Sequence, residues 1–193
     1  MAYSEQTALI VVDMQNDFAD PEGSLFVAGG DSIVDAINAE VVAVEEAGGS
    51  VVYTQDWHPP ETPHFADFGG VWPVHCVRDT WGAALCDDLV ANGPIVKKGT
   101  GGEDGYSGFS MRDPETGEEM ATELDGVLRS KGVKDVVVVG LALDVCVKAT
   151  AIDALTNGYD VTVITDQSAA VNLNPGDGEA AVVEMASAGI TIR

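Results

Sequence analysis

Three residues able to do covalent chemistry stand at comparable places in the chain. Cys146 follows the apolar run VVVVGLAL and lies near the start of a periodic segment, DVCVKATAIDALTNG. A thiol at a helix N-terminus sits beside unpaired N–H groups and the positive end of the helix dipole. That setting lowers a thiol pKa and can hold an oxyanion. A small apolar residue of the core is the competing reading, and the commonest use of a free cysteine. Asp13 directly follows ALIVV, where a buried carboxylate needs a partner. Lys98, at the end of GPIVKK, can be that partner. An Asp beside a Lys and a Cys makes a base for the thiol. The plainer readings are a turn cap for Asp13 and a solvated lysine for Lys98. Lys97 suits the solvated role, because neighbours on a strand point oppositely.

A second constellation is DWHPPETPHFADFGGVWPVHC, which holds all three histidines, His58, His64 and His75. Asp56 and His58 are two apart at a strand end, so both side chains can face one side. Imidazole with carboxylate suits Zn2+, Mn2+ or Fe2+. Clustering in a chain this poor in histidine favours a metal site over three unrelated residues. Cys76 adjoins His75 and reads as a core thiol. The piece KKGTGGEDGYSGF lacks the G-K-[ST] ending of a phosphate cradle, and Glu103 and Asp104 would repel phosphate. It reads as a mobile loop that brings Tyr106 and Phe109 over a pocket.

Elements that could position these residues are legible in the periodicity. Strands are expected at TALIVV, GSVVYTQD, GPIVKKG, VKDVVVVG, YDVTVITD and ITIR. Helices are expected at 29–48, capped by Asp31 or Ser32 and ended by Gly48, and at 116–132, opened by a Thr116–Glu119 capping box. Two more are expected at 144–158 and 177–189. Alternating strands and helices imply a three-layer α/β/α fold with a mostly parallel six-stranded sheet, one domain across 1–193. In such sheets ligands bind beyond the carboxyl ends of the strands. Asp13, Asp56, Lys98 and Cys146 all fall at or just after such ends, on four different strands.

Composition bounds the partners. Hydrophobic residues make up 46% of the 193, enough for a sizeable core. No apolar run approaches the roughly 18 residues of a membrane span, and no signal peptide is read. Three cysteines without framework spacing fit a reducing cytoplasm. Nine basic residues against 32 acidic ones give a formal net charge of −23. That balance argues against nucleic acid and anionic membrane as partners, and its spread along the chain suits a high-salt cytoplasm.

Taken in order, these motifs resemble the nicotinamidases of the isochorismatase-like cysteine hydrolase superfamily, over essentially the whole chain. ALIVVDMQNDF is similar to the family's first motif and implies Asp13 as the catalytic carboxylate. VKKGTGGEDGYSGF resembles the lysine motif, in which the catalytic Lys precedes Gly, and so selects Lys98. VVVVGLALDVCVKATAIDA resembles the nucleophile motif and implies Cys146. TQDWHPPETPHF and WPVHC resemble the metal segments and imply Asp56, His58 and His75 as ligands, with His64 a fourth ligand in some relatives. The metal implied is one divalent transition ion, zinc first, with Fe2+ or Mn2+ as alternatives. The resemblance also implies a cis peptide between Leu141 and Ala142, an oxyanion hole there, and a pocket lined by Phe18, Trp72 and Tyr106. The implied reaction converts nicotinamide and water to nicotinate and ammonia through a Cys146 thioester, in NAD salvage, with pyrazinamide a further substrate. The alternative is a metal-free isochorismatase-like or carbamoyl-amide hydrolase of the same fold. Assembly with further copies of the chain stays open. Val145 and Leu143 depart from the family, in which His and Thr are frequent there, and make the pocket wall more apolar.

Overall fold

β1, Thr7–Val12, is apolar on both faces, and its alternate residues enter two different cores. Ala8, Ile10 and Val12 face one layer of helices, and Leu9 and Val11 face the other. A strand covered on both sides is the signature of a parallel sheet between helical layers. The computed structural model, which describes residues 3–193, has that architecture. After the short helix α1, Asn16–Ala19, comes α2, Val34–Glu46, which buries Ile37, Val41 and Val44 against the Leu9–Val11 face. β2, Ser50–Asp56, and β3, Ile95–Lys98, follow. A two-stranded antiparallel hairpin, β4 Ser110–Arg112 and β5 Glu119–Ala121, precedes α3, Leu124–Ser130. Then come β6 Asp135–Leu141, α4 Lys148–Thr156, β7 Asp160–Ala169, α5 Asp177–Ala188 and β8 Thr191–Ile192.

The six-stranded sheet has the order β3-β2-β1-β6-β7-β8, and every pairing in it is parallel. Leu124, Leu128, Ala151, Ala154 and Met185, from α3, α4 and α5, pack on the face opposite α2. The three expected layers are therefore present. Among the described residues no helix is long and apolar enough to cross a membrane.

Three local expectations are corrected. The helix expected over 116–132 is a helix only from Leu124. Before it, Asp113 accepts the N–H groups of Glu115 and Thr116, and Gly117 adopts φ +74°. That backbone closes a hairpin and cannot form a helical first turn. Neither Asp31 nor Ser32 caps α2; the Ser32 hydroxyl donates instead to the Gly29 carbonyl, and a 3-10 turn leads into the helix. Gly48, at φ +80°, does end it. Phe109 packs in the core near Tyr159 rather than over a pocket.

Candidate active site

Four adjacent strands bring side chains to one point at or just beyond their carboxyl ends. Lys98 closes β3 and pairs in register with Asp56, which closes β2. Asp13 follows β1, and Cys146 follows β6 in a five-residue π turn, Leu143–Val147, that feeds α4. Since β3, β2, β1 and β6 are adjacent, the four side chains meet. Lys98 Nζ lies 2.7 Å from Asp13 Oδ2, 2.5 Å from Asp56 Oδ1 and 3.7 Å from Cys146 Sγ, and donates to the Gly105 carbonyl. The thiol and the two carboxylates have ligating atoms within 4.8 Å of one another. Lys97, on the opposite side of β3, is exposed and lies over the Trp57 ring.

Burial sets the electrostatics. Asp13 and Lys98 are wholly inaccessible. Burial pushes the Asp13 carboxyl up to about 6, against the pull of Lys98. Asp56 is equally buried, yet the Lys98 ammonium and the nearby imidazoles hold it well below the usual carboxylate range. Burial opposes the charge on Lys98 too, but two carboxylates keep the ammonium firmly protonated. Cys146 runs against the expectation from its helix terminus. Burial drives its thiol well above the ordinary value, and Lys98 offsets this only in part. The resting sulfur is a thiol, so a base must take its proton.

The histidines converge as a second half of the same site. His58, His64 and His75 each offer a ring nitrogen within 4.8 Å of the others. His58 Nε2 is 3.8 Å and His75 Nε2 3.9 Å from Asp56 Oδ2. His75 donates Nδ1–H to the Pro73 carbonyl at 2.7 Å, which leaves Nε2 a free lone pair. Burial lowers His75 to about 4, so it is neutral at pH 7. Both ring nitrogens of His58 are buried without a hydrogen-bond partner. Orphaned imidazole nitrogens are costly unless they bind something, and three imidazoles around a carboxylate form a donor set for a divalent transition ion. The residues fit such an ion. Gly99, at φ +71°, is needed at this junction, because a Cβ there would collide with the His58 ring.

Between the two halves lies an apolar pocket. Phe18, Trp72 and Tyr106 form its aromatic walls, and Trp72 Nε1–H donates to the Tyr106 hydroxyl at 3.0 Å. Leu25, Val27, Val145 and Val171 add apolar lining, and Asp56, His64, His75 and Cys146 line it as well. Ala142 lines the pocket through the peptide that follows Leu141, and that peptide is cis. Leu141 itself is fully buried in the sheet-side core, so only its backbone belongs to the site. The Gly-rich segment is anchored rather than loose. Gly102 and Gly105 carbonyls accept from Thr62 and Lys98, and Asp104 pairs through both backbone groups with Arg112.

Several supporting residues escape a reading of motifs. Thr54 donates to Asp13 Oδ1 at 2.7 Å and accepts the Asp13 N–H. It stands two before Asp56, so strand alternation could have placed it on the same face. Gln15 exchanges hydrogen bonds with both backbone groups of Asp56. Asp17 accepts the Cys76 N–H at 2.7 Å and so holds the His75 turn. Asp104 contacts His64 at 2.5 Å from across the chain. Gln15, Asp17 and Asp104 have no such local signal.

Known proteins share both the sequence pattern and the fold. The model of the Isochorismatase domain family matches residues 7–193. The nicotinamidase of Escherichia coli (strain K12) is 39% identical over 204 residues, covering 96% of this chain and 93% of that protein. Among solved structures, the pyrazinamidase of Pyrococcus horikoshii in complex with zinc superposes with a TM-score of 0.86 at 41% identity, covering 97% of this chain and 98% of the other. PnC1 from L. infantum in complex with nicotinate superposes with a TM-score of 0.90 at 37% identity, covering 100% and 95%.

Proposed function

The chain belongs to the isochorismatase-domain family, and on that premise we propose that it hydrolyses nicotinamide to nicotinate and ammonia, with pyrazinamide a second substrate. One observation carries the reading: the Cys146 thiol, the lysine-paired carboxylate of Asp56 and two of three converging imidazoles, His64 and His75, line a single apolar pocket. A metal-free hydrolase would leave the buried imidazoles around Asp56 without a role.

Asp56, His58, His64 and His75 would hold one divalent transition ion, for which zinc is our first candidate. Bound there, the ion supplies a Lewis-acidic partner for the lone pair of a pyridine nitrogen. Phe18, Trp72 and Tyr106 sandwich the planar ring and set the carboxamide against Cys146. Asp13, ionised and steadied by Lys98 and Thr54, takes the thiol proton. The Cys146 sulfur then bonds to the amide carbon, and the negative oxygen rests on the Ala142 and Cys146 amides. Asp13 returns its proton to the leaving nitrogen, the C–N bond breaks, and ammonia departs from a thioester. A water deprotonated by Asp13 cleaves that thioester, which releases nicotinate and restores the thiol. The site faces small molecules; we place the enzyme in a cytoplasm of high salt, on the strength of its net charge of −23.

Cys146→Ala tests the proposal. Ammonia release from nicotinamide should fall to background while circular dichroism and thermal melting stay near those of the parent. A Cys146→Ala protein that keeps its turnover would refute the reading.

A further inference from the structure

One buried contact takes no part in that mechanism. His64 Nδ1 lies 2.5 Å from Asp104 Oδ1, the shortest side-chain contact any of the three imidazoles makes. A carboxylate accepts and does not donate, so the ring nitrogen facing it carries the proton. The Nδ1–H tautomer leaves Nε2 as a bare lone pair. His64 is 4% exposed at its side chain, stacks on His58 at 4.6 Å between centroids, and lines the pocket. One of its ring nitrogens lies within 4.8 Å of ligating atoms of His58 and His75, and with Nδ1 held by Asp104 the nitrogen left for a metal is Nε2.

The same segment grips His64 from its backbone side. Thr62 Oγ1 accepts the His64 N–H at 3.1 Å and donates to the Gly102 carbonyl at 2.6 Å. Asp104 is itself fixed by two backbone hydrogen bonds with Arg112, of 2.7 and 3.0 Å. One residue further on, Gly105 accepts from Lys98. The 102–105 segment thus holds the His64 ring directly, its backbone through Thr62, and the buried ammonium at once.

We propose that Asp104 is a positioning residue of the metal site: its carboxylate fixes His64 as the Nδ1–H tautomer and so makes His64 Nε2 a fourth protein ligand. The proposal rests on the metal reading under the proposed function. Carboxylate or carbonyl acceptors behind ligating histidines orient the ring and raise its basicity, and losing one typically weakens metal binding about 10- to 100-fold. His75 has the Pro73 carbonyl in that place; His64, on an irregular stretch of chain, relies on a residue distant in sequence.

The test is a double-mutant cycle read by zinc affinity, measured by competition with a chelator on parent, Asp104→Ala, His64→Ala and the double variant. Asp104→Ala should bind zinc about 10- to 100-fold more weakly, and should add little once His64 is already Ala. Asp104→Asn, which keeps an acceptor oxygen, should fall between parent and Asp104→Ala, and it replaces the latter in the cycle if that variant does not fold. A second readout needs no metal: long-range 15N–1H spectra of the zinc-free protein should place the His64 proton on Nδ1 in the parent and shift it toward Nε2 in Asp104→Ala. Equal zinc affinity in parent and Asp104→Ala, or the same loss in the His64→Ala background, overturns the proposal. A parent that takes up no zinc overturns the metal reading with it, whereas turnover lost in Cys146→Ala speaks only to the hydrolase.

Discussion

At the scale of single residues, the site turns on how one ammonium is divided between two carboxylates. Lys98 reaches Asp13 at 2.7 Å and Asp56 at 2.5 Å, and all three are buried. Asp56 also faces His58 and His75 and stays ionised; Asp13 carries the weaker charge and is raised to about 6. On the proposed mechanism Asp13 must be ionised to accept the thiol proton, and activity then depends on its basic form. The ionised fraction falls as pH drops through the folded pKa. The acid limb of kcat/KM for nicotinamide should therefore centre near pH 6. A limb near about 4, the place of an ordinary carboxylate, would contradict the assignment of Asp13 as base. Asp13 also makes stability depend on pH. Its folded pKa lies above the unfolded one, so stability falls as pH rises from the unfolded value to about 6. Above that the full cost remains, and below the unfolded value there is none. Reading the sequence identifies these residues because strand ends announce themselves by the apolar run before them. It misjudges the thiol, because a helix terminus is visible in sequence and burial is not.

At the scale of elements, the turn between β6 and α4 is held from outside. Asp144 accepts the Val171 N–H at 2.9 Å and the Asn172 N–H at 2.8 Å, with one carboxylate oxygen for each. Asn172 has φ +51°, and its side chain accepts the Gly178 N–H at the start of α5. Two residues before the thiol, Asp144 thereby ties the exit of β7 to the Cys146 turn and fixes Val171, which lines the pocket. Asp144→Ala should raise KM for nicotinamide several-fold and lower stability by about 1.5–3 kcal/mol, the range for hydrogen bonds to a charged group. Steady-state kinetics with urea denaturation checks both; unchanged values would leave the tie without a role. The regular strands and the helices packed on them are legible because each buries a periodic face. The stretch 116–132 misleads because helix-forming side chains there are outvoted by Asp113 and Gly117, whose backbone preferences act over a few residues and win where nothing is buried. Partners such as Gln15 and Asp104 are out of reach because they are specified by the folded arrangement and not by neighbours in the chain.

At the scale of the whole molecule, the net charge of −23 governs the physics outside the core. Only two exposed cation–carboxylate pairs occur among the described residues, Arg129–Asp125 and Lys148–Glu184. The remaining surface acids repel one another through solvent. Salt shortens that repulsion, from a screening length of about 10 Å at 0.1 M to about 3 Å at 1 M. Urea midpoints should rise between about 0.1 and 2 M potassium chloride, with most of the gain below about 1 M. A flat or falling series would reject the high-salt reading.

The sheet order has a consequence for how the enzyme comes into being. β1 lies at the centre and pairs with β6 along its whole length, from Thr7 with Asp135 to Val12 with Gly140. A ribosome releases Asp13, Asp56 and Lys98 long before it makes that strand. Until then β1 has β2 on one side and an open apolar edge on the other, the exposed condition that invites mispairing. Closing it joins distant parts of the chain, which is slow compared with forming a hairpin. Cys146 is the last of the four residues to be synthesised, and it directly follows the strand that covers the open edge of β1. No nascent chain shorter than 146 residues carries both Asp13 and the Cys146 sulfur, and β7, α5 and β8 are still to be added when that length is reached.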